Sequence, residues 1–456
     1  MQCHLLSFEG PDAYAEAGGL ASRIKGLSNA LVHAGFETHL WFVGDPQLPG
    51  YENRAGLHLH RWCQWISQYH PVGVYDGEEG KRIDYASSLP PYLFTRVLSS
   101  ALIRGDSFLV MAEEWHTVDA ILHLDWLLRQ RGLREQATLL WNANNTFGFE
   151  RIDWERLSKA AVITTVSRYM KGLMQHWGVD ATVISNGLPD DAYLLPEEEA
   201  LRNLREKLPG RTLIAKMARW DSAKRWLAAI RAVAVMKSEG WRPLLIARGG
   251  REPYGNEILK SAATLGLRVR ARALLSPDER GILGALDDVN DVDVLNLLTP
   301  VEPKVRGLLF AGADTVLANS SHEPFGLVGL ETMAVKGVAC IGNTGEDYAI
   351  AGYNAIVMES DDPREFIRLY AALKASPFKE RALKNAARRI AQQYTWMKII
   401  RRVLLPKFSA LAADPSAPLK HAAPRQLCNF FIPPSPLRLI RAETRIDAEK
   451  GEKRTV

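Results

Sequence analysis

The run from Gly312 to Asn343, GADTVLANSSHEPFGLVGLETMAVKGVACIGN, limits the fold more than any other stretch of this chain. It reads as a short apolar strand over 315–319, then a polar turn with one proline over 320–325. A helix opened by Gly326 follows, and after Gly337 comes a second apolar strand over 338–341. Two apolar strands joined this tightly by a helix form a right-handed crossover in a parallel sheet, so the fold class is α/β. Glu323 falls in the turn beyond the carboxyl end of the first strand, and Glu331 falls on the helix. Both can therefore face the crevice where open parallel sheets hold ligands.

At 456 residues the chain exceeds one ordinary core, and two or three domains are expected. A hydrophobic share of 47% with 24% charged residues is that of a soluble globular protein. The net charge of +5 is mild for this length. It suits an anionic small molecule or peripheral contact with a membrane surface without requiring either. Nucleic-acid binding needs a concentrated basic stripe, which is missing outside 388–402 and the tail. Cys3, Cys63, Cys340 and Cys428 form no CxxC pair, which fits a reduced, cytoplasmic setting. The opening MQCHLLSFEG enters a strand without the features of a signal peptide, and no apolar run reaches the ~20 residues of a membrane span.

Strands are predicted over 3–8, 38–43, 107–112, 137–142, 161–166 and 181–184 in a first half, and over 213–217, 244–247 and 292–298 in a second half that also holds the opening unit. Gly18 and Gly19 precede a helix running to about residue 34. They serve either as a close approach to a ligand at a helix start that favours anions, or as a plain turn with tight packing. Residues 47–92 lose the pattern and carry many aromatics, among them Tyr51, Trp62, Tyr75 and Tyr85. These rings suit sugar faces, or form a satellite cluster under a long loop. Asn145 lies beyond a strand end, where an amide can meet acceptor hydroxyls or simply build the loop. Arg219 in a turn and Lys224 at the start of a helix expected over 222–238 converge where helix N–H groups already favour phosphate oxygens. Asp291-Val292-Asp293 looks like a metal-binding pair but heads a strand of this second half.

The segment ADTVLANSSHEPFGLVGLETMAVKGVACI resembles the signature of the retaining nucleotide-sugar glycosyltransferases of family 4 type, in the glycogen-synthase-like superfamily (glycosyl transferases group 1). Glu323 and Glu331 reproduce its E-x7-E pair with Pro324-Phe325-Gly326 between them. The resemblance spans roughly residues 1–411, dense in the second half and sparse in the first. It implies the GT-B fold, two facing Rossmann-like domains: an acceptor domain over 1–188, a linker over 189–196 and a donor domain over 197–393. A helix over 394–412 would then cross back to the N-terminal domain, ahead of a Pro-rich and charged, loosely ordered tail over 413–456.

What the resemblance implies chemically is transfer of a hexosyl group from a nucleoside-diphosphate sugar to a sugar or glycan acceptor, with no cofactor and no metal. Arg219 and Lys224 would grip the diphosphate, Glu323 the donor sugar, and Glu331 the ribose. Amides of Phe325, Gly326 and Leu327 would hold sugar hydroxyls, and Gly345 would offer its backbone to the diphosphate. Gly18 and Gly19 would reach toward the diphosphate and the acceptor. Laid against the family's H-x-H-D-W-H/Q-T stretch, Glu113 stands where the sugar-facing histidine belongs and His116 where the last His or Gln belongs. Glu113, His116 and Asn145 are therefore candidates for the sugar or acceptor side. The alternative is a GT-B shell that binds a sugar nucleotide or glycan without turnover. The sugar, the base, the acceptor and the oligomeric state are not fixed by these residues.

Overall fold

In the computed structural model of the chain, the described residues are 2–99, 106 and 108–406. Ser107, the expected tail over 413–456 and the last part of the crossing helix lie outside them.

The strands form two sheets. The first contains β1 (Gln2–Leu6), β2 (Glu37–Val43), β3 (Tyr51–Arg54), β4 (Leu57–Trp62), β5 (Phe108–Glu113), β6 (Ala137–Ala143), β7 (Val162–Thr165) and β8 (Thr182–Val183). Their spatial order is β3-β4-β2-β1-β5-β6-β7-β8. The second contains β9 (Thr212–Met217), β10 (Pro243–Arg248), β11 (Val269–Arg272), β12 (Val294–Leu297), β13 (Thr315–Ala318), β14 (Ala339–Ile341) and β15 (Ile356–Val357). Here the order is β11-β12-β10-β9-β13-β14-β15. Every pairing is parallel except that of β3 with β4. Each sheet starts in its middle: β1 lies between β2 and β5, and β9 between β10 and β13. The order reverses there, and the loops leaving the carboxyl ends splay apart to open a crevice.

Residues 47–92 are not a long loop. Ala55 (φ +50°) and Gly56 (φ +89°) turn β3 back into β4. Within β4, Leu57 and Leu59 are buried on one face while His58, His60 and Trp62 take the other. The helix Glu78–Tyr92 then buries Tyr85 and Leu89. Histidines on the second face of β4 and two prolines, Pro90 and Pro91, inside the helix hid both elements from a reading based on apolar periodicity.

One hydrophobic cluster draws on both halves of the chain, with Val166 and Leu188 packed beside Phe325, Met333 and Ala391. The chain also returns to its beginning. Leu188 N donates to Tyr394 O at 2.8 Å, and Trp396 is buried with Ile24 and Leu27 of the helix Gly19–His33. A Cβ on Gly26 would stand 2.0 Å from Trp396 Nε1, so the indole fits only over glycine. The element that follows is the short helix Trp396–Ile399 running into a π-helical turn, Ile400–Leu404. No helix among the described residues is long and apolar enough to cross a membrane.

Candidate functional site

The turn after β13 is held by the two loops beside it. Ser321 donates from both N and Oγ to Ala223 O, at 2.8 and 3.1 Å, which ties it to the loop carrying Lys224. On its other side Gly345 N donates to Glu323 O at 2.8 Å, and Glu323 N donates to Thr344 Oγ1 at 3.1 Å. A Cβ on Gly345 would stand 2.2 Å from Pro324 O, so the two loops meet only because residue 345 is glycine. Its amide is thus engaged by the turn rather than open to a diphosphate. Gly326, at φ +79°, opens the helix Leu327–Ala334. The amides of Phe325, Gly326 and Leu327 donate to nothing among the described residues, which leaves a helix start ready for hydroxyl or anionic oxygens.

Against this helix start Lys224 Nζ lies 2.6 Å from Glu323 Oε2, each side chain about one-fifth exposed. The lysine does not come from the helix expected over 222–238. It ends the 3₁₀ turn Ser222–Lys224, after which Arg225 (φ +50°) leads into the helix Trp226–Ser238. Asp221 caps the turn by accepting from Ala223 N at 2.7 Å. Arg219 is exposed, and its guanidinium makes no ion pair among the described residues. Glu331 faces Arg306, with Oε1 3.1 Å from a guanidinium nitrogen; burial raises its pKa and Arg306 opposes the rise.

Two further groups under the turn escaped sequence reasoning. Lys216 on β9 is buried, with Nζ donating to Leu317 O (3.1 Å) and Asn319 Oδ1 (2.8 Å). Burial, helped by the charge of Lys224, lowers its pKa to about 7. Glu346 is buried against Gly326, and burial lifts its pKa to about 7, with Glu323 adding to the rise. A lysine inside an apolar strand and an acid just past Gly345 were the visible signals.

In the N-terminal half Gly18 and Gly19 are exposed with open space above both. The helix they open already has its anion: Glu9 Oε2 accepts from Gly18 N (3.1 Å) and Ala21 N (2.9 Å), while Glu9 Oε1 accepts from Tyr75 Oη at 2.6 Å. Glu9 was missed, although it stands just past the carboxyl end of β1, where ligand-facing residues gather.

Glu113 needs correction as a sugar-facing candidate. It is fully buried, and Arg23 Nε lies 3.1 Å from both of its oxygens. Asn142 Nδ2 (2.9 Å) and Asn144 Nδ2 (2.7 Å) also donate to it, so its lone pairs are spent on the interior. His116 is buried too, stacked on Phe8 with ring centroids 4.4 Å apart, and its Nε2 is 2.5 Å from Glu78 Oε1. Asn145 uses Oδ1 to accept from Phe147 N at 2.8 Å, the loop-building role. Glu114, next to Glu113, is buried with its pKa raised by burial to about 8. Gly249 after β10 is likewise structural, since a Cβ there would lie 2.1 Å from Trp220 Nε1. Asp291 and Asp293 precede β12 at its amino end, paired with Arg268 (3.3 Å) and Lys237 (2.6 Å) respectively, away from the crevice.

No family model matches the chain. Among curated proteins, D-inositol 3-phosphate glycosyltransferase from Geodermatophilus obscurus is 28% identical over 137 residues, 30% of each chain. Among solved structures, sucrose-phosphate synthase from Thermosynechococcus elongatus superposes with a TM-score of 0.64 at 17% identity, covering 91% of this chain and 100% of that one. The catalytic domain of starch synthase IV from Arabidopsis thaliana, bound to ADP and acarbose, gives 0.64 at 14% identity over 90% and 98%. An α,α-trehalose-phosphate synthase (UDP-forming) from Burkholderia xenovorans, in complex with glucose-6-phosphate, gives 0.61 at 14% over 89% and 99%. These neighbours are GT-B glycosyltransferases, and the fold of this chain is GT-B.

Proposed function

We propose that the chain is a retaining glycosyltransferase that moves a hexosyl group from a nucleoside-diphosphate sugar to a sugar or glycan acceptor, without a metal. The observation that carries this reading is the Lys224–Glu323 pair set against three amides, at the start of the helix Leu327–Ala334, that donate to nothing among the described residues. In glycosyl transfer, negative charge builds on the departing diphosphate and positive charge on the anomeric carbon. A site that keeps a cation and a carboxylate 2.6 Å apart, both part-exposed, offers each charge its counterpart. On donor binding, Lys224 and Arg219 turn to the diphosphate. Glu323, released from the lysine, turns to the sugar, whose hydroxyls meet the amides of Phe325, Gly326 and Leu327. Glu331, steadied by Arg306, takes the ribose hydroxyls.

Support also comes from the relatives named above, which are sugar-transferring enzymes, one bound to ADP and one UDP-forming. Lys216 and Glu346 act from beneath as positioning residues, through Asn319 and Thr344, with Glu346 Oε2 accepting from Thr344 N at 3.1 Å. A reduced, cytoplasmic setting is part of the reading and is supported by the buried, unpaired thiols of Cys3, Cys63 and Cys340.

The test is a panel of sugar nucleotides incubated with the protein in EDTA, reading nucleoside diphosphate release and the anomeric configuration of the product. Release that an acceptor accelerates, with configuration kept, is the expected result. Binding without turnover favours the non-catalytic shell, and activity lost in EDTA but restored by Mn²⁺ or Mg²⁺ overturns metal independence.

A further inference from the structure

Four of the eleven histidines gather on one face of the first sheet, on β1, β2 and β4. The register pairs His4 with His39 and His39 with His58, which sets these three in one row across β1, β2 and β4. His60 follows two residues later and so shares the face. Ring centroids are 4.7 Å apart for His4 and His39 and 4.5 Å for His39 and His58. Glu37, two residues before His39 on the same face, brings Oε1 to 3.3 Å from His39 Nε2. One ligand atom from each of Glu37, His39 and His58 lies within 4.8 Å of the other two.

Space-filling by stacked rings would explain the row but not its polar arrangement. His39 Nδ1 is 3.1 Å from His60 Nε2, and His58 Nδ1 is 2.9 Å from Tyr51 Oη. Each ring thus has one nitrogen oriented by a neighbour and the other left for the acid side, the second-sphere support that metal-binding histidines receive. Two buried polar atoms at the cluster, His4 Nε2 and Gln2 Oε1, have no hydrogen-bond partner among the described residues. Glu37 is half-exposed and His58 half-buried, which leaves a way in for an ion.

We propose that Glu37, His39 and His58 bind one divalent transition-metal ion, with water completing the sphere. Two nitrogens and a carboxylate fit Zn²⁺, and ligand atoms in a zinc tetrahedron with bonds of ~2.05 Å stand about 3.3 Å apart, the separation already present between Glu37 and His39. Such an ion clamps two neighbouring strands, β2 and β4, near their amino ends. It braces the fold and takes no part in sugar transfer, which happens at the other end of the sheets.

The experiment uses the full-length, tag-free protein stripped with EDTA, then titrated with ZnCl₂ by calorimetry and by thermal melting. The expected result is one zinc per chain and a raised Tm. Glu37→Gln and His58→Ala, neither of which empties the core, each weaken zinc binding at least about tenfold and leave the zinc-free Tm in place. Zinc binding no tighter than about 100 µM, zinc binding that both variants retain, or an equal Tm rise with MgCl₂ would overturn the assignment.

Discussion

Replacing Glu113 by Gln keeps its shape and removes its charge, which strands a guanidinium in a dry site. Arg23 and Glu113 are both 0% exposed at the side chain, and among the described residues Arg23 reaches, besides the carboxylate, only Asn186 Oδ1 (2.7 Å) and the ring of Trp396 (5.6 Å). Neither is an anion. Breaking a buried pair on one side costs about 3–5 kcal/mol. In folded units of roughly 150–250 residues each kcal/mol moves Tm by about 2–4 °C, so Glu113→Gln should lower Tm by about 6–20 °C. Removing both partners, as in Arg23→Met with Glu113→Leu, should recover much of that loss because no lone charge remains. Thermal melting of the three variants, with steady-state kinetics on the same samples, is the assay. If Glu113 instead faced the sugar, Glu113→Gln would raise a substrate KM at unchanged Tm, and that outcome would refute the structural role given to it here.

Gly345→Ala puts a Cβ 2.2 Å from Pro324 O, so the turn carrying Glu323 must move. The expected cost is about 1–3 kcal/mol of stability, read from denaturant midpoints, together with a lower kcat. Glu331→Gln should mainly raise the donor KM, because a ribose contact is made equally in ground and transition states. Stability should also depend on pH. His4, His39, His60 and His116 have lowered pKa values, so the unfolded chain takes up their protons first, and stability is lost as pH falls below about 6.5. Glu346 and Glu114 have raised values, about 7 and about 8, so their share is complete at low pH and is lost as pH rises through those values. Lys216, lowered to about 7, acts in the opposite sense above pH 7, where only the unfolded chain keeps its proton. Denaturant midpoints should therefore rise from pH 5 to about 6.5, where the four histidines outweigh the two acids, and a flat profile over that range would contradict these burials.

Five of the seven strands of the second sheet were legible because they are short apolar runs separated by glycine and proline, and because Glu323, Gly326 and Glu331 follow β13 at fixed offsets; β11, Val-Arg-Ala-Arg, and the two-residue β15 carry no such run and were not predicted. The first half was harder. Its β4 alternates leucine with histidine, and its helix Glu78–Tyr92 contains two prolines, so neither fits a simple hydrophobic period. The role of Glu113 could not be read from position alone. Its partner Arg23 lies 90 residues earlier, and only the pairing of β1 with β5 brings the two together. Glu9 presents the same difficulty, since an acid nine residues before a glycine turn looks like ordinary loop until the turn folds back on it.

Whether Glu323 takes part in the chemistry of sugar transfer is read most directly from Glu323→Gln. Steady-state release of nucleoside diphosphate should show kcat lowered about ten- to a thousandfold, roughly 1.4–4 kcal/mol of transition-state stabilisation. Donor affinity measured by calorimetry on the same variant should change by only a few-fold. Near-normal kcat in Glu323→Gln, or no donor-dependent release by the unsubstituted protein, would contradict the account.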